Sequence, residues 1–195
     1  MQQITRKHLT TPRSVATSCS VQRSKHLFQP GGSLLLTSGR WTRRCHQVSS
    51  DPTGMGRWTH VRLEGQNNTI INIVSAYQVC LPSRSETTTS NTAYLQQVRH
   101  LRQRYNNSCP RQQLLTDLTY QIKKWTDNHE DTILMIDANT SATGNDQSWT
   151  SFLHHNNLFN THTIFHSETP PNTTIHGSSQ IDFIVGTPRV IDSLS

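Results

Sequence analysis

A buried strand that ends abruptly in polar residues is the feature of this sequence that most constrains its fold. Residues 133–136 are four consecutive large apolar residues, and Asp137, Ala138 and Asn139 follow them directly. Such a run predicts a strand that is buried on both faces and ends near Asp137. Because side chains alternate along a strand, Asp137 and Asn139 are expected on the same side. A carboxylate and an amide at the end of a buried strand indicate a candidate site.

Two interpretations of the Asp137-Ala138-Asn139 sequence stay open. Asp137 can hold a divalent metal ion or activate a water molecule, and the Asn139 amide can donate a hydrogen bond to a phosphate oxygen. The same residues also occur where a strand simply ends in an Asx-type turn. The rest of the chain must decide between the two interpretations.

Basic residues are concentrated at the start of the chain. Residues 1–50 contain eight Lys or Arg and no Asp or Glu, whereas the whole chain of 195 residues has 18 basic and 12 acidic side chains and a formal net charge of +6. A basic segment favours nucleic acid as a partner, although a solvated tail or an organelle transit peptide has a similar composition. We expect residues 1–28 to be a basic, disordered segment and residues 29–195 to form one domain.

Membrane proteins and zinc-binding proteins are poor matches to this sequence. No apolar run approaches the roughly 18 residues that cross a bilayer. The four Cys are scattered without a Cys-x-x-Cys pair, and the 11 His show no compact ligand spacing. We therefore interpret His162 and His166 as surface or loop residues, and we expect no membrane association and no obligate protein partner.

Strand patterns occur on both sides of the central strand. Residues 58–63 and 69–77 predict an antiparallel hairpin that ends in Tyr77. Residues 180–185 predict a further strand, which contains Asp182.

Helical patterns fill most of the space between these strands. Apolar residues at helical spacing predict helices at 91–105 and 110–128, and a short helix is expected at about 148–155. We expect segments 40–57 and 156–177 to be irregular and the tail up to Ser195 to be strand-like. This order of elements indicates an α/β (α+β) sandwich in which helices cover paired sheets.

Three stretches resemble, in the correct order, motifs of the endonuclease/exonuclease/phosphatase superfamily. They are Asn72-Ile73-Val74-Ser75-Ala76-Tyr77, Ile136-Asp137-Ala138-Asn139 and Gln180-Ile181-Asp182-Phe183-Ile184. The segment from Arg57-Trp58 to Tyr77 is similar to a strand pair in the endonuclease domains of non-LTR retrotransposons and related mobile-element proteins. The resemblance covers roughly residues 29–195.

The resemblance implies a partial four-layer αββα sandwich that cuts phosphodiester bonds of nucleic acid, DNA above all, with Mg²⁺ or Mn²⁺. Asp137 would hold the metal ion or activate the attacking water, while Asn139, Tyr77 and Arg57 would bind the substrate. Asp182 would be the carboxylate that orients a catalytic His. We expect Tyr77, Asp137, Asn139 and Asp182 to converge at one end of the sandwich, and wide separation would contradict the resemblance.

Two functional residues of this superfamily have no counterpart in the sequence. No acidic residue precedes Asp51, so the metal-binding Glu is missing, and no His follows His176, so the terminal catalytic His is missing as well. Loss of one positioned acid or base typically costs about 10² to 10⁴ in rate. We therefore expect an incomplete, impaired endonuclease-type domain. The alternative is a catalytically inactive nucleic-acid-binding or inert remnant of a mobile-element protein.

Overall fold

The computed structural model describes residues 13–18, 31–82, 92–105, 109–140, 147–166, 171–173 and 179–194. In chain order the strands are β1 (Arg13–Ser18), β2 (Gly32–Thr37), β3 (Cys45–Ser50), β4 (Trp58–Glu64), β5 (Ile70–Tyr77), β6 (Asp131–Asp137), β7 (Phe159–Asn160) and β8 (Asp182–Gly186). The helices are α1 (Arg40–Arg44), α2 (Ala93–Tyr105), α3 (Pro110–Asp127), α4 (Gln147–His155), α5 (Thr161–His166) and α6 (Pro188–Leu194).

A six-stranded sheet with the order β3-β4-β5-β6-β8-β7 forms the centre of the fold. Strands β4 and β5 form the predicted antiparallel hairpin around a short 3₁₀ turn, Gln66–Asn68. Strand β5 then pairs in parallel with β6. Because parallel neighbours require a crossover connection, helices α2 and α3 lie between these two strands in the chain. The predicted hairpin and the predicted central strand are both confirmed.

Helices α3 and α4 cover one face of this sheet. The predicted apolar stripe of α3 is buried, and Leu118 at its centre has no exposed surface. Burial of one such Leu side chain stabilises the fold by roughly 1.5–3 kcal/mol. The core on this face includes Leu114, Leu118, Ile122 and Trp125 of α3, Trp149 and Phe152 of α4, and Val74, Leu134, Ile136, Phe183 and Val185 of the sheet.

The second face of the sheet contacts a smaller sheet made of β1 and β2. Leu35 of β2 packs in one buried cluster with Cys45, Val61 and Leu63, which belong to β3 and β4. Helices, a six-stranded sheet and a second sheet are thus three of the predicted layers. The α/β sandwich predicted from the sequence is confirmed in the part of the chain that the structure describes.

Strands β1 and β3, like the short strand β7, occur where the sequence predicts no strand. Strand β1 lies within the segment 1–28, which is predicted to be disordered, and pairs antiparallel with β2 over six residues. Strand β3 lies within the segment 40–57, which is predicted to be irregular, and pairs with β4. Each of these strands pairs with the strand that follows it in the chain, and such pairing leaves little local signature in the sequence. The domain boundary at residue 28 stays a prediction.

The tail of the chain is also different from its prediction. Residues 188–194 form helix α6 instead of a strand, because the Thr187 carbonyl accepts hydrogen bonds from the N–H groups of Val190 and Ile191, and both of these side chains are buried. Within 156–177, the described part contains β7 and α5. Residues 141–146, 167–170 and 174–178, which include most of the expected loop after the central strand, lie outside the described residues. None of the helices described is long and apolar enough to cross a membrane.

Candidate active site

Three of the predicted site residues lie side by side on adjacent strands. Tyr77 on β5 is the parallel register partner of Asp137 on β6, and Asp137 is the antiparallel partner of Asp182 on β8. Adjacent strands are about 4.8 Å apart, and side chains at paired positions lie on the same face of a sheet. The sheet therefore places one phenol and two carboxylates in a single row, which we call the Tyr77–Asp137–Asp182 row.

Asn139 lies beside this row, but a turn brings it there. Strand β6 ends at Asp137, and Asn139 has a left-handed conformation with φ of 44°, so the strand-like alternation expected for this residue does not hold. Its backbone N–H donates to Oδ1 of Asp137 at 3.2 Å, which is the Asx-type turn considered from the sequence. Its side-chain Nδ2 donates to the backbone carbonyl of Gln78 at 2.7 Å, and its Oδ1 accepts a hydrogen bond from the Cys80 thiol at 3.1 Å.

A cleft of about 630 Å³ opens at Asp137 and Asp182, whereas Tyr77 is not among the residues that line it and Asn139 lines a separate groove. Strands β6 and β8 contribute Asp137 and Asp182 to its lining, and helix α5 contributes Thr161, His162 and His166. A cavity of this size is typical of a binding site for a small molecule. The cleft therefore gives the two carboxylates a space in which a ligand can be bound.

Two histidines, which the sequence predicts to be surface or loop residues, line this cleft. His162 and His166 are four residues apart on α5, and their ring centroids are 4.9 Å apart. The Nε2 atom of His162 is buried and has no hydrogen-bond partner among the residues described. Their spacing is that of neighbours on one helix face, but this signal is recognisable only once residues 161–166 are known to be helical.

Burial and charge change the protonation of the row. Burial raises the pKa of Asp137, and the charge of Asp182 raises it further, against hydrogen bonds from Asn139 that lower it. Burial also raises the pKa of Tyr77, as do its neighbours Cys80 and Asp137. The Tyr77 phenol therefore stays protonated at neutral pH, and it can donate a hydrogen bond.

The carboxylates of Asp137 and Asp182 fit a divalent cation such as Mg²⁺. Mg²⁺ prefers oxygen ligands and is commonly held by one or two carboxylates, several waters and substrate phosphates. A cation would also relieve the repulsion between the two negative charges. In the described part of the chain, no three His, Cys, Asp or Glu side chains are arranged to hold a metal ion. The two carboxylates would therefore supply only part of the ligand set of the cation, and waters or substrate oxygens would supply the rest.

Arg57 is not in this site, in contrast to its prediction as a substrate-binding residue. Its side chain is fully buried. The guanidinium donates through Nε to Asp51 at 2.8 Å, and Nη2 donates to both Asp51 and Asp117. Because these carboxylates enclose the guanidinium, Arg57 links the turn before β4 to α3. Its backbone carbonyl accepts a hydrogen bond from the N–H of Tyr77 at 2.9 Å, which connects it to the row through the main chain.

No model of a known protein family and no curated protein matches this sequence. Solved structures match it at low sequence identity. The human nocturnin catalytic domain with a bound sulfate anion matches 96% of this chain at 11% identity, with a TM-score of 0.56. A mannosyl-6-phosphatase of Bacteroides thetaiotaomicron matches 95% at 13% identity, with a TM-score of 0.56.

A further match is an endonuclease/exonuclease/phosphatase family protein from Leptotrichia buccalis, over 95% of this chain at 13% identity, with a TM-score of 0.51. This chain spans 64%, 66% and 62% of the length of these three structures, in the order given. The finer resemblance to mobile-element endonucleases stays a prediction. The chain has the fold of the endonuclease/exonuclease/phosphatase proteins.

Proposed function

We propose that this chain is a divalent-metal-dependent phosphodiesterase domain of the endonuclease type that acts on nucleic acid. The observation that carries the proposal is the Tyr77–Asp137–Asp182 row, whose two carboxylates line the cleft of about 630 Å³. A phenol and two carboxylates in register can bind a cation and a phosphate next to each other. Two of the similar structures are a sugar phosphatase and a domain with a bound sulfate, which supports chemistry on phosphate esters, although a fold alone does not fix a substrate.

Each residue of the site has a separate task in this proposal. Asp137 and Asp182 hold the cation, and Asp137 also orients the attacking water. Tyr77 donates its O–H to a phosphate oxygen. Asn139 uses one of the two N–H bonds of its amide on the Gln78 carbonyl, and its second N–H is directed at the phosphate. When bound, the cation supplies charge neutralisation for the phosphate.

His162 is the candidate for the proton-transfer group of this site. It lines the cleft that contains Asp137 and Asp182. Its Nε2 atom is buried without a hydrogen-bond partner in the ranges described, so a substrate oxygen or a water in the cleft can be its partner. A positioned His contributes typically 10² to 10⁴-fold to such a reaction, roughly the loss expected from the missing terminal residue.

A second candidate function is binding of nucleic acid without cleavage. Helix α2 presents Arg99 and Arg102 on its exposed surface, and residues 1–50 carry eight further basic side chains. Such charges bind the phosphate backbone with an affinity that falls steeply with salt.

Nicking of supercoiled plasmid in Mg²⁺ by the purified, folded chain tests the proposed function. The variants are Asp137→Ala and, as a matched control, Asp127→Ala, which removes an exposed carboxylate at the end of α3. We expect nicking by the wild type and the control, a loss of at least about 10²-fold in Asp137→Ala, and complete loss in EDTA.

Two results would count against the proposal. Equal nicking by Asp137→Ala would assign the activity to another site or to a contaminating nuclease. Binding of plasmid without nicking by the folded wild type would establish the second candidate function in its place.

A further inference from the structure

A chain of hydrogen bonds connects four polar side chains on the face of the six-stranded sheet that α3 covers. Oγ of Ser49 lies 2.8 Å from Nδ1 of His60, its register partner across β3 and β4. Nε2 of His60 lies 2.8 Å from Oδ1 of Asn72 on β5. Nδ2 of Asn72 donates to Glu130 at 2.8 Å. These contacts form a continuous path from a serine to a carboxylate.

The path determines which nitrogen of His60 carries the proton. Nδ2 of Asn72 donates to Glu130 and also to the backbone carbonyl of Asp131 at 3.2 Å, so Oδ1 of Asn72 is the atom that faces His60. Because Oδ1 can only accept a hydrogen bond, Nε2 of His60 is the donor. Nδ1 therefore has a lone pair and accepts a hydrogen bond from the Ser49 hydroxyl.

His60 is also held rigidly and kept in its neutral form. Its side chain is 1% exposed and stacks on Trp125 with ring centroids 4.4 Å apart. The pKa of His60 is lowered, and burial of the imidazole is the largest cause. Neutral imidazole is the form that can take a proton from a hydroxyl. The set of a nucleophile, a neutral histidine and an amide that orients the histidine is similar to the Cys-His-Asn set of papain-like proteases, with a serine in place of the cysteine.

Ser49 is partly exposed at a groove of about 440 Å³. This groove shares no lining residue with the cleft of the Tyr77–Asp137–Asp182 row. Trp58 and Trp125 contribute an apolar wall, and the exposed Lys124 of α3 contributes a positive charge. These features suit a small ligand that has both an apolar part and an acidic group.

We propose that this groove is a second reactive site, in which Ser49 attacks small carboxylic esters that carry an acidic group. Oγ of Ser49 bonds to the acyl carbon while its proton passes to Nδ1 of His60. The ester C–O bond then breaks, and the proton is transferred from His60 to the leaving alcohol. Water attacks the acyl-serine by the same path, which releases the carboxylic acid and restores Ser49. This proposal is independent of the phosphodiesterase function.

Covalent labelling of the full-length chain with a fluorophosphonate probe tests the nucleophile. The probe loses fluoride, with the serine proton, as the P–O bond to serine forms. We expect one adduct, which peptide mapping locates at Ser49, and which is absent in Ser49→Ala but present in Ser50→Ala, the matched control on the next residue of β3. Labelling that is equal at Ser50 or spread over many serines would overturn the proposal.

The role of His60 needs a variant that leaves the buried path intact. Ser49→Cys and Ser50→Cys place a thiol at each position without changing His60 or Asn72, and both are alkylated with iodoacetamide at neutral pH. If Nδ1 of His60 is a base for residue 49, we expect Cys at 49 to react at least about tenfold faster than Cys at 50. Equal alkylation rates at the two positions would contradict the activation of residue 49 by His60.

The acidic substrate class has its own test. Hydrolysis of mono-4-nitrophenyl succinate by the wild type is expected to exceed that of 4-nitrophenyl acetate, and Lys124→Gln is expected to remove the difference. Equal hydrolysis of both esters by the wild type, or a preference that Lys124→Gln leaves unchanged, would overturn this assignment.

Discussion

Asp137 and Asp182 lie directly opposite each other on the antiparallel strands β6 and β8. Burial of Asp137, together with the charge of Asp182, raises the pKa of Asp137. Two carboxylates on neighbouring strands do not favour the folded state unless a cation lies between them or one of them is protonated. A cation between them, as proposed above, would remove this repulsion.

The first prediction concerns the pH dependence of stability at Asp137. Because its pKa is higher in the folded state than in the unfolded state, folding is favoured at low pH, and this contribution is lost as the pH rises through the raised pKa. We expect Asp137→Asn to melt at a higher temperature than the wild type at pH 7.5 in EDTA. The difference should vanish below about pH 3.9, where the unfolded state also protonates.

Thermal melts followed by circular dichroism at several pH values check this prediction. Asp127→Asn is the matched control, since it changes an exposed carboxylate outside the row. A lower melting temperature of Asp137→Asn at pH 7.5 would mean that the carboxylate stabilises the fold, and the electrostatic account of the row would be wrong.

The second prediction concerns the buried ion pairs of Arg57. The side chains of Arg57 and Asp51 are fully buried, and Arg57 also contacts Asp117. Removal of one partner leaves an uncompensated buried charge, so we expect Arg57→Met to lower the free energy of unfolding by about 3–5 kcal/mol in urea denaturation. Arg43→Met, an exposed position on α1, is the control, with an expected change within about 0.5 kcal/mol.

The same ion pair also predicts sensitivity to acid. Burial would by itself raise the pKa of Asp51, but the hydrogen bonds and charge of Arg57 outweigh it and hold this pKa below its usual range. The stabilisation is therefore present at neutral pH and is lost as the pH falls through the lowered pKa. The loss of stability caused by Arg57→Met should accordingly become smaller in strong acid, and a loss that does not depend on pH would contradict the ion-pair account.

The third prediction concerns nucleic-acid binding through α2. If Arg99 and Arg102 each contact one phosphate of duplex DNA, their joint replacement by Gln should reduce the slope of log affinity against log salt by about 1.8. Fluorescence anisotropy of a labelled duplex at several KCl concentrations measures this slope. Lys123→Gln, an exposed position on α3, is the control. An unchanged slope in the double variant would exclude α2 from the interface.

Local patterns in the sequence were sufficient for the elements that form the centre of the fold. Strands β4, β5 and β6 and helix α3 have a periodicity that burial on one or both faces imposes, and all four occur where they were predicted. Strands β1 and β3 have no such pattern, because they are defined by pairing with the next strand of the chain and not by a local apolar period. Helix α6 was missed because its buried pair of residues is too short to define a period.

The candidate site was predictable to a similar extent. The ordered motifs of the resemblance named Tyr77, Asp137 and Asp182 as candidates, and the strand register brings these three residues together. The burial of Arg57 could not be foreseen, since it depends on carboxylates that are 6 and 60 residues away in sequence. The position of His162 in the cleft depends equally on the fold around α5.

Binding of Mn²⁺, followed by electron paramagnetic resonance, tests most directly whether Asp137 and Asp182 together form the cation site. The comparison is between the wild type, the double variant Asp137→Asn/Asp182→Asn and the Asp127→Asn control. Our account predicts one Mn²⁺ bound by the wild type and by the control, displaced by excess Mg²⁺ and absent from the folded double variant. Equal binding by the double variant, or no binding by the folded wild type at millimolar Mn²⁺, would contradict it.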